Sequence, residues 1–100
     1  MKSALLINYS ANNNYARKKW LRIKEKVLKQ LLKNTILVPY EVPFNMNHCL
    51  EQLIKEEGVS YFISAGGDGS INYVLNSLIR ITGRNSRDYC LGAIGLGTSN

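Results

Sequence analysis

Residues 64–78, SAGGDGSINYVLNSL, place three glycines and one aspartate directly before a helical pattern. The apolar segment 59–64 has the length and composition of a buried strand. From residue 70 to residue 81, apolar side chains recur at the three- and four-residue spacing of a helix. The glycine-rich segment is therefore predicted to join a strand to a helix, with room for another molecule to approach the backbone.

Strand and helix patterns alternate along the whole chain. We predict strands over residues 4–9, 35–42, 59–64 and 89–94. Helices are predicted from residue 15 or 16 to 33, from residue 46 or 48 to about 57, and over 70–81, with a polar loop at 82–88. Pro39 suits an edge strand, Asn45 or Asn47 suits a helix cap, and Gly58 suits a helix end. The alternation predicts an α/β fold, a parallel sheet with helices on both faces.

Three polar or glycine-rich segments follow predicted strands, at residues 8–14, 65–70 and 95–100. Ligands of parallel sheets bind beyond the carboxyl ends of the strands, so we expect these segments on one rim. Where glycines replace side chains, a phosphate reaches backbone N–H groups and the positive end of the following helix. Ser70 is suited to cap that helix or to offer a hydroxyl to phosphate. Asp68 is suited to hold a magnesium ion through water, or to orient a basic or amide neighbour.

A tight turn with a solvated aspartate is the simpler alternative for this loop. A second glycine cluster, Gly92, Gly95 and Gly97 with Thr98, ends a neighbouring predicted strand and argues against it. Neither cluster is a standard nucleotide fingerprint. A Walker A loop needs a lysine before its Ser or Thr, and the dinucleotide pattern needs a third glycine where Asn100 stands. The residues predict a phosphate site without choosing its ligand.

Three segments resemble motifs of the diacylglycerol kinase catalytic domain family, in the family's order. Residues 66–78, GGDGSINYVLNSL, resemble G-G-D-G-T-[IL]-N-E-V-x-N-G-L. Residues 5–18, LLINYSANNNYARK, resemble the opening L-L-I-N-P-x-A-G-x-G-x-A-x-K, and residues 91–100, LGAIGLGTSN, resemble L-G-I-I-P-L-G-T-x-N. The family includes bacterial lipid kinases and the sphingosine and ceramide kinases. The resemblance covers essentially the whole chain.

The resemblance implies an ATP site on the rim and Mg²⁺-assisted phosphoryl transfer from ATP to a lipid hydroxyl, such as that of diacylglycerol. It assigns nucleotide contacts to Asn8, Gly66, Gly67, Asp68, Gly69, Ser70, Asn72 and Thr98. It also implies that residues 1–100 are the N-terminal, nucleotide-binding portion of a two-domain fold. The second, β-rich domain of that fold carries the general base and the lipid pocket, so we expect no catalytic residue, and no lipid kinase activity, in this chain alone.

Four residues depart from the family pattern. Tyr9 and Gly95 stand where the family has Pro, Asn12 where it has Gly, and Tyr73 where it has Glu. Because Tyr73 stands where the family has a carboxylate, one turn into the helix behind the phosphate loop, we expect the binding of a metal ion or the stabilisation of the helix terminus to be altered there. The departures leave open a weakened kinase or a divergent active one. They also leave open a non-catalytic nucleotide-binding or membrane-associated module, and a relative of NAD kinase or phosphofructokinase, families that share G-G-D-G.

The net charge of +6 is concentrated in one predicted helix. Residues 17–33 hold one acidic residue, Glu25, and eight basic ones: Arg17, Lys18, Lys19, Arg22, Lys24, Lys26, Lys29 and Lys33. The segment is either an ordinary solvated face or a peripheral contact with an anionic membrane. Nucleic acid is the least favoured partner, because no reader motif accompanies the charge.

The cysteines and the single histidine predict neither a disulfide nor a metal site. Cys49 and Cys90 lack metal-ligand spacing and are expected to be buried, reduced thiols. His48 is expected on a helix, either at its surface or partly buried, and not as a catalyst. The sequence shows no signal peptide. We therefore expect a cytoplasmic protein, peripheral at the inner membrane surface if the basic helix binds lipid.

Overall fold

A computed structural model of the protein describes residues 2–11, 15–31 and 33–96. Its elements are, in chain order, β1 (Lys2–Asn8), α1 (Tyr15–Gln30), β2 (Ile36–Tyr40), α2 (Met46–Glu57), β3 (Val59–Gly66), α3 (Asp68–Thr82), a 3-10 helix (Gly83–Asp88) and β4 (Cys90–Gly95). Within this part of the chain, no helix is long and apolar enough to cross a membrane.

The four strands form one parallel sheet in the order β2-β1-β3-β4. Pro39 lies in β2, at the edge of the sheet, where its missing N–H removes no ladder hydrogen bond. β1 and β3 lie in the middle, and Leu5 of β1 pairs with Ile63 of β3. The predicted α/β class, with a parallel sheet between helices, is confirmed.

Helices cover both faces of the sheet because the side chains of the central strands are apolar on both faces. On one face α1 packs through Ala16 and Trp20 against Leu5, Ile7 and Ile63. On the other face α2 and α3 pack on the sheet; the buried residues of this larger core are Ala4, Leu6, Tyr40, Met46, Leu50, Leu53, Val59, Phe62, Val74 and Leu78. The chain therefore changes faces between α1 and α2.

The ends of α2 lie where the sequence placed them. Asn45 is the N-cap, and its side-chain oxygen accepts a hydrogen bond of 3.0 Å from the backbone N–H of His48. Gly58 ends the helix in the left-handed conformation, with φ of +68°, which a residue with a Cβ adopts only with strain. Of the two asparagines that suited the cap, the structure selects Asn45. His48 lies on the helix surface, as expected.

Several predicted boundaries were wrong by a few residues. β3 continues through Gly66, and α3 begins at Asp68 rather than at residue 70. α1 ends at Gln30 rather than at residue 33, and the predicted loop at 82–88 is largely a 3-10 helix. Glycines led the prediction to end the strand early, although extended backbone is also open to glycine.

The expectation of two buried thiols was half wrong. Both cysteines are free, but Cys49 is half-buried in α2 and Cys90 is exposed at the start of β4. Burial raises the pKa of the Cys49 thiol above its ordinary value. β4 ends the described part of the sheet, which explains why its first residue is open to solvent.

The cap of α2 provides a direct test of this fold. We expect Asn45→Ala to lower the free energy of unfolding by about 1 kcal/mol, because the N–H of His48 loses its acceptor. Urea denaturation followed by circular dichroism measures this change. Asn47→Ala is the matched control, since Asn47 lies inside the helix, and we expect its effect to stay within about 0.5 kcal/mol. Equal losses in both variants would contradict the assignment of the cap.

Candidate functional site

The carboxyl ends of β1 and β3 lie side by side at one rim of the sheet. Ile7 pairs with Ala65, and beyond these residues the chain leaves toward opposite faces, to α1 after β1 and to α3 after β3. Such a divergence opens a crevice, the usual ligand site of open parallel sheets. The end of β4 joins the same rim, because the N–H of Leu96 donates to the carbonyl of Gly66 at 2.8 Å. The predicted common rim is confirmed for the described residues.

Asn8 links the loop after β1 to the first turn of α3. Its Nδ2 donates to Ser70 Oγ at 2.8 Å, and its Oδ1 accepts hydrogen bonds from the N–H and the hydroxyl of Ser10 at 3.0 and 2.7 Å. The side chain is 7% exposed. Its predicted contact with a nucleotide stays a prediction. What the structure shows is a buried amide that holds the two sides of the crevice together.

Gly66 lacks a side chain for a packing reason. A Cβ built at Gly66 would lie 2.6 Å from Ser70 Cβ and closer still to Ser70 Oγ, with Asn8 Cβ at 3.4 Å. The backbone of β3 therefore touches the first turn of α3 directly. At this position the absent side chain makes room for Ser70, and the predicted contact of Gly66 with a phosphate stays a prediction.

Ser70 does not cap α3, so that part of the prediction was wrong. The N-cap is Gly67, which has no side chain, and the N–H groups of Ser70 and Ile71 both donate to the Gly67 carbonyl, at 3.1 and 3.2 Å. The Ser70 hydroxyl is buried against Asn8 instead. The hydroxyl oxygen therefore has a protein donor, and the predicted contact of Ser70 with a nucleotide stays a prediction.

The first turn of α3 presents its backbone to solvent. Asp68 and Gly69 precede the first helical hydrogen bond, so their N–H groups have no carbonyl acceptor within the helix. A Cβ at Gly69 would meet nothing within 4 Å, and both residues are exposed. This opening, together with the positive end of the helix dipole, suits an anionic group.

A groove of about 310 Å³ lies between this turn and β4. It is lined by Ser64, Gly66, Gly67, Asp68, Ile71, Ala93, Ile94 and Gly95. The Ser64 hydroxyl is buried and has no hydrogen-bond partner among the described residues. Buried hydroxyls are normally paired, so this one is an exception, and it belongs to a residue of the groove lining. Ser64 was not among the predicted site residues, because a serine inside a strand pattern cannot be told from any other small residue.

Tyr73 points away from the phosphate loop. Its hydroxyl donates to the carbonyl of Phe44 and accepts from the N–H of Met46 at 3.4 Å, so it joins α3 to the start of α2. The ring also packs with Tyr40, with centroids 6.4 Å apart. The family's carboxylate is thus replaced by a side chain that fastens two helices.

The structure does not place Asn72 or Thr98, the remaining predicted site residues, in the groove. Asn72 is exposed on α3 and does not line the groove. Thr98 and Gly97 lie outside the described residues. Gly92 lies close to Tyr61, since a Cβ there would be 2.9 Å from the Tyr61 hydroxyl, whereas a Cβ at Gly95 would meet nothing within 4 Å.

Tyr40 lies beneath the rim and is 4% exposed. Its pKa is raised to about 12, mainly by burial; Ser70 acts in the opposite direction, and Tyr73 and Cys49 contribute to the rise. The Tyr40 hydroxyl is buried and makes no hydrogen bond of normal geometry with any described residue, Ser70 included. The environment therefore strongly favours the neutral phenol.

The described residues contain no group of three or more His, Cys, Asp or Glu side chains able to hold a metal ion. Asp68 is the acidic residue in the first turn of α3, and it borders the groove. A magnesium ion commonly takes one or two carboxylates and completes its shell with phosphate oxygens and water. The residues present therefore fit magnesium that arrives with a phosphate ligand.

The sequence profile described as "Diacylglycerol kinase catalytic domain" matches residues 2–100. The chain belongs to this family. The match agrees with the glycine-rich turn, the rim and the crevice described above, and it places the chain among lipid-kinase-like phosphotransferases. None of the curated proteins searched matches the chain.

The contact between Gly66 and Ser70 can be tested by paired substitution. We expect Gly66→Ala to lower the free energy of unfolding by about 2 kcal/mol, because the added methyl overlaps Ser70. Ser70→Gly should restore part of this loss in the double variant, although each single variant is destabilised. Urea denaturation of the four proteins gives the coupling. Gly69→Ala is the control and should be neutral, and strictly additive losses at 66 and 70 would contradict the contact.

The pKa of Tyr40 predicts a specific loss of stability in alkali. The folded state holds the phenol proton up to about pH 12, whereas an unfolded tyrosine loses it near pH 10, so its stabilising effect falls as the pH rises between these values. Between pH 8 and pH 11, we expect the free energy of unfolding of the wild type to fall by about 1 kcal/mol more than that of Tyr40→Phe. Urea midpoints of both proteins at the two pH values measure this, and a constant difference would refute it.

Proposed function

We propose that this chain binds ATP and forms the nucleotide-binding part of a lipid kinase that transfers the terminal phosphoryl group to a lipid hydroxyl. The observation that supports this most directly is the open first turn of α3. There, the N–H groups of Asp68 and Gly69 have no acceptor within the helix, and Asp68 borders a groove that is also lined by Ser64, whose hydroxyl is unpaired among the described residues. Membership in a kinase family supplies the class of ligand.

The polyphosphate is the part of ATP that this groove suits. Backbone N–H groups at a helix start donate hydrogen bonds to phosphate oxygens without a lysine, and the helix dipole adds positive potential. The open position at Gly69 lets the phosphate approach closely. The bridge between Asn8 and Ser70 keeps this turn in place before any ligand arrives, which lowers the entropy lost on binding.

Magnesium, when bound with the nucleotide, would neutralise the charge that develops on the phosphate oxygens. Asp68 is the residue of this chain proposed to orient it, through water. Because Asp68 carries a negative charge beside the phosphate groove, the chain should favour the magnesium complex of ATP over free ATP.

The acceptor is proposed to be a lipid alcohol such as diacylglycerol, at the cytoplasmic face of a membrane. Proton removal from that alcohol needs a base near the groove. Asp68 is the acidic residue lining it, and it is assigned to the metal. The base and the lipid pocket are therefore proposed to lie outside the described residues, and this chain alone should bind ATP without phosphorylating lipid.

Isothermal titration of the chain with ATP, with and without magnesium, tests the proposal. We expect Gly69→Val to weaken binding at least about tenfold, because a branched side chain would occupy the space through which phosphate reaches the backbone. Asn76→Val adds the same side chain to the same helix seven residues further on and should bind as the wild type does. Circular dichroism confirms that both variants fold.

Two results would overturn the proposal. Unchanged affinity for ATP in a folded Gly69→Val variant would mean that ATP binds elsewhere. If the wild type does not bind ATP with or without magnesium, the turn is not a nucleotide site. Tighter binding of free ATP than of its magnesium complex would contradict the role of Asp68.

A further inference from the structure

The outward side of α1 combines basic charge with exposed leucines. α1 buries Ala16 and Trp20 against the sheet, and Trp20 is 3% exposed. Ile23 and Val27 are partly buried against the same core, and the other side of this helix of 16 residues, about 24 Å long, faces solvent. The inward apolar stripe is therefore used by the fold, and the outward side is free to do something else.

The outward charge is not neutralised within the fold. α1 carries seven basic residues and Glu25, a net charge equal to that of the whole chain, +6. The two ion pairs among the described residues, Lys2–Glu57 and Lys55–Glu51, do not involve α1. Its polar contacts there are weak ones: the Arg17 guanidinium lies 5.5 Å from the Tyr9 ring centroid, and Arg22 donates to Tyr15 Oη at 3.4 Å.

Two leucines stand among these charges. Leu21 is 51% exposed and Leu28 is 40% exposed, and with Arg17 and Lys24 they form one side of the helix at spacings of four, three and four residues. The neighbouring side repeats the spacing with Lys18, Arg22, Glu25 and Lys29. An apolar side chain flanked by basic ones is the composition of helices that lie in a lipid interface.

We propose that this side of α1, the outward face from Arg17 to Lys29, binds the surface of anionic membranes. Its lysines and arginines would contact lipid headgroups, and Leu21 and Leu28 would enter the acyl boundary. The long stems of the lysines suit this position, since they reach the headgroups while covering apolar surface. The inference stands independently of the nucleotide site, because it rests on residues of the opposite sheet face.

A nucleic acid fits this face less well. Proteins that bind single strands stack bases on exposed aromatic rings, but Trp20 is buried in the core and Tyr15 is half-buried. Contacts with the phosphate backbone would use the lysines and leave Leu21 and Leu28 without a partner. An acidic protein would also match the charge of this face, and the experiment below distinguishes that partner from a membrane.

Sedimentation of the full chain with phosphatidylcholine vesicles, with and without phosphatidylserine, tests this proposal. We expect binding at low salt to the anionic vesicles alone, and weaker binding at about 0.15 M salt, where the Debye length is about 8 Å. Lys18→Gln with Lys29→Gln should reduce the partition about 25-fold, roughly fivefold for each charge. The control, Arg84→Gln with Arg87→Gln in the exposed 3-10 helix, removes the same charge elsewhere and should bind nearly as the wild type does.

A second pair separates lipid insertion from charge attraction. Leu21→Asn with Leu28→Asn keeps every charge, and we expect it to lose at least about fivefold in partition. Leu75→Asn with Ile79→Asn, two exposed apolar residues on α3, is the matched control and should lose little. Because Trp20 is buried, its fluorescence should stay constant on vesicle addition and serves as the check on folding.

Three results would overturn the proposal: no sedimentation of the wild type at low salt, equal losses in the α1 charge variant and its control, or unchanged partition of the leucine variant. Retention of the chain on a polyanion such as polyuridylate, with the same affinity for wild type and leucine variant and no vesicle binding, would assign the face to a polyanionic macromolecule instead.

Discussion

The rim depends on one close contact, the packing of Ser70 against the bare backbone of Gly66. It brings the start of α3 so near to β3 that Asn8, at the end of the adjacent strand, can reach the Ser70 hydroxyl. Asn8 in turn fixes the loop of Ser10, whose hydroxyl accepts a hydrogen bond from the N–H of Val42 after β2. Three strands are thus tied together at the point where the crevice opens, and the first turn of α3 is held with its amides outward.

The sequence predicted the layers and the rim well, because these depend on patterns of many residues. Alternating apolar segments gave the strands, the spacing around Trp20 gave the buried side of α1, and Asn45 and Gly58 marked the ends of α2. The roles of single rim residues were harder. The sequence does not distinguish a serine that caps a helix from one that packs against a strand, as Ser70 does. Whether the Ser64 hydroxyl finds a hydrogen-bond partner depends on the neighbours that surround it in the folded sheet.

The glycines of one motif have different reasons to be glycine. Gly66 leaves space for a protein side chain, Gly67 serves as a cap without a side chain, and Gly69 faces open solvent. None of the three has a positive φ; among the described residues that conformation occurs at Gly58 and Gly83. Backbone freedom therefore does not explain the motif. The motif instead combines a glycine required for packing, Gly66, with one that leaves its backbone open to solvent, Gly69. Of the three glycines, Gly69 alone offers the open approach that the proposed ligand needs.

The contact between Gly66 and Ser70 also restricts how this chain can diversify. Any larger residue at position 66 requires a smaller one at position 70, and a change at position 70 deprives Asn8 of its acceptor. Positions 8, 66 and 70 are therefore expected to change together, although positions 8 and 66 are 58 positions apart in the sequence. In a library randomised at these positions, folded members should be recovered as matched triplets and rarely as single replacements. Position 69, which shares the motif but not the contact, should vary freely under selection for folding and become restricted under selection for ligand binding.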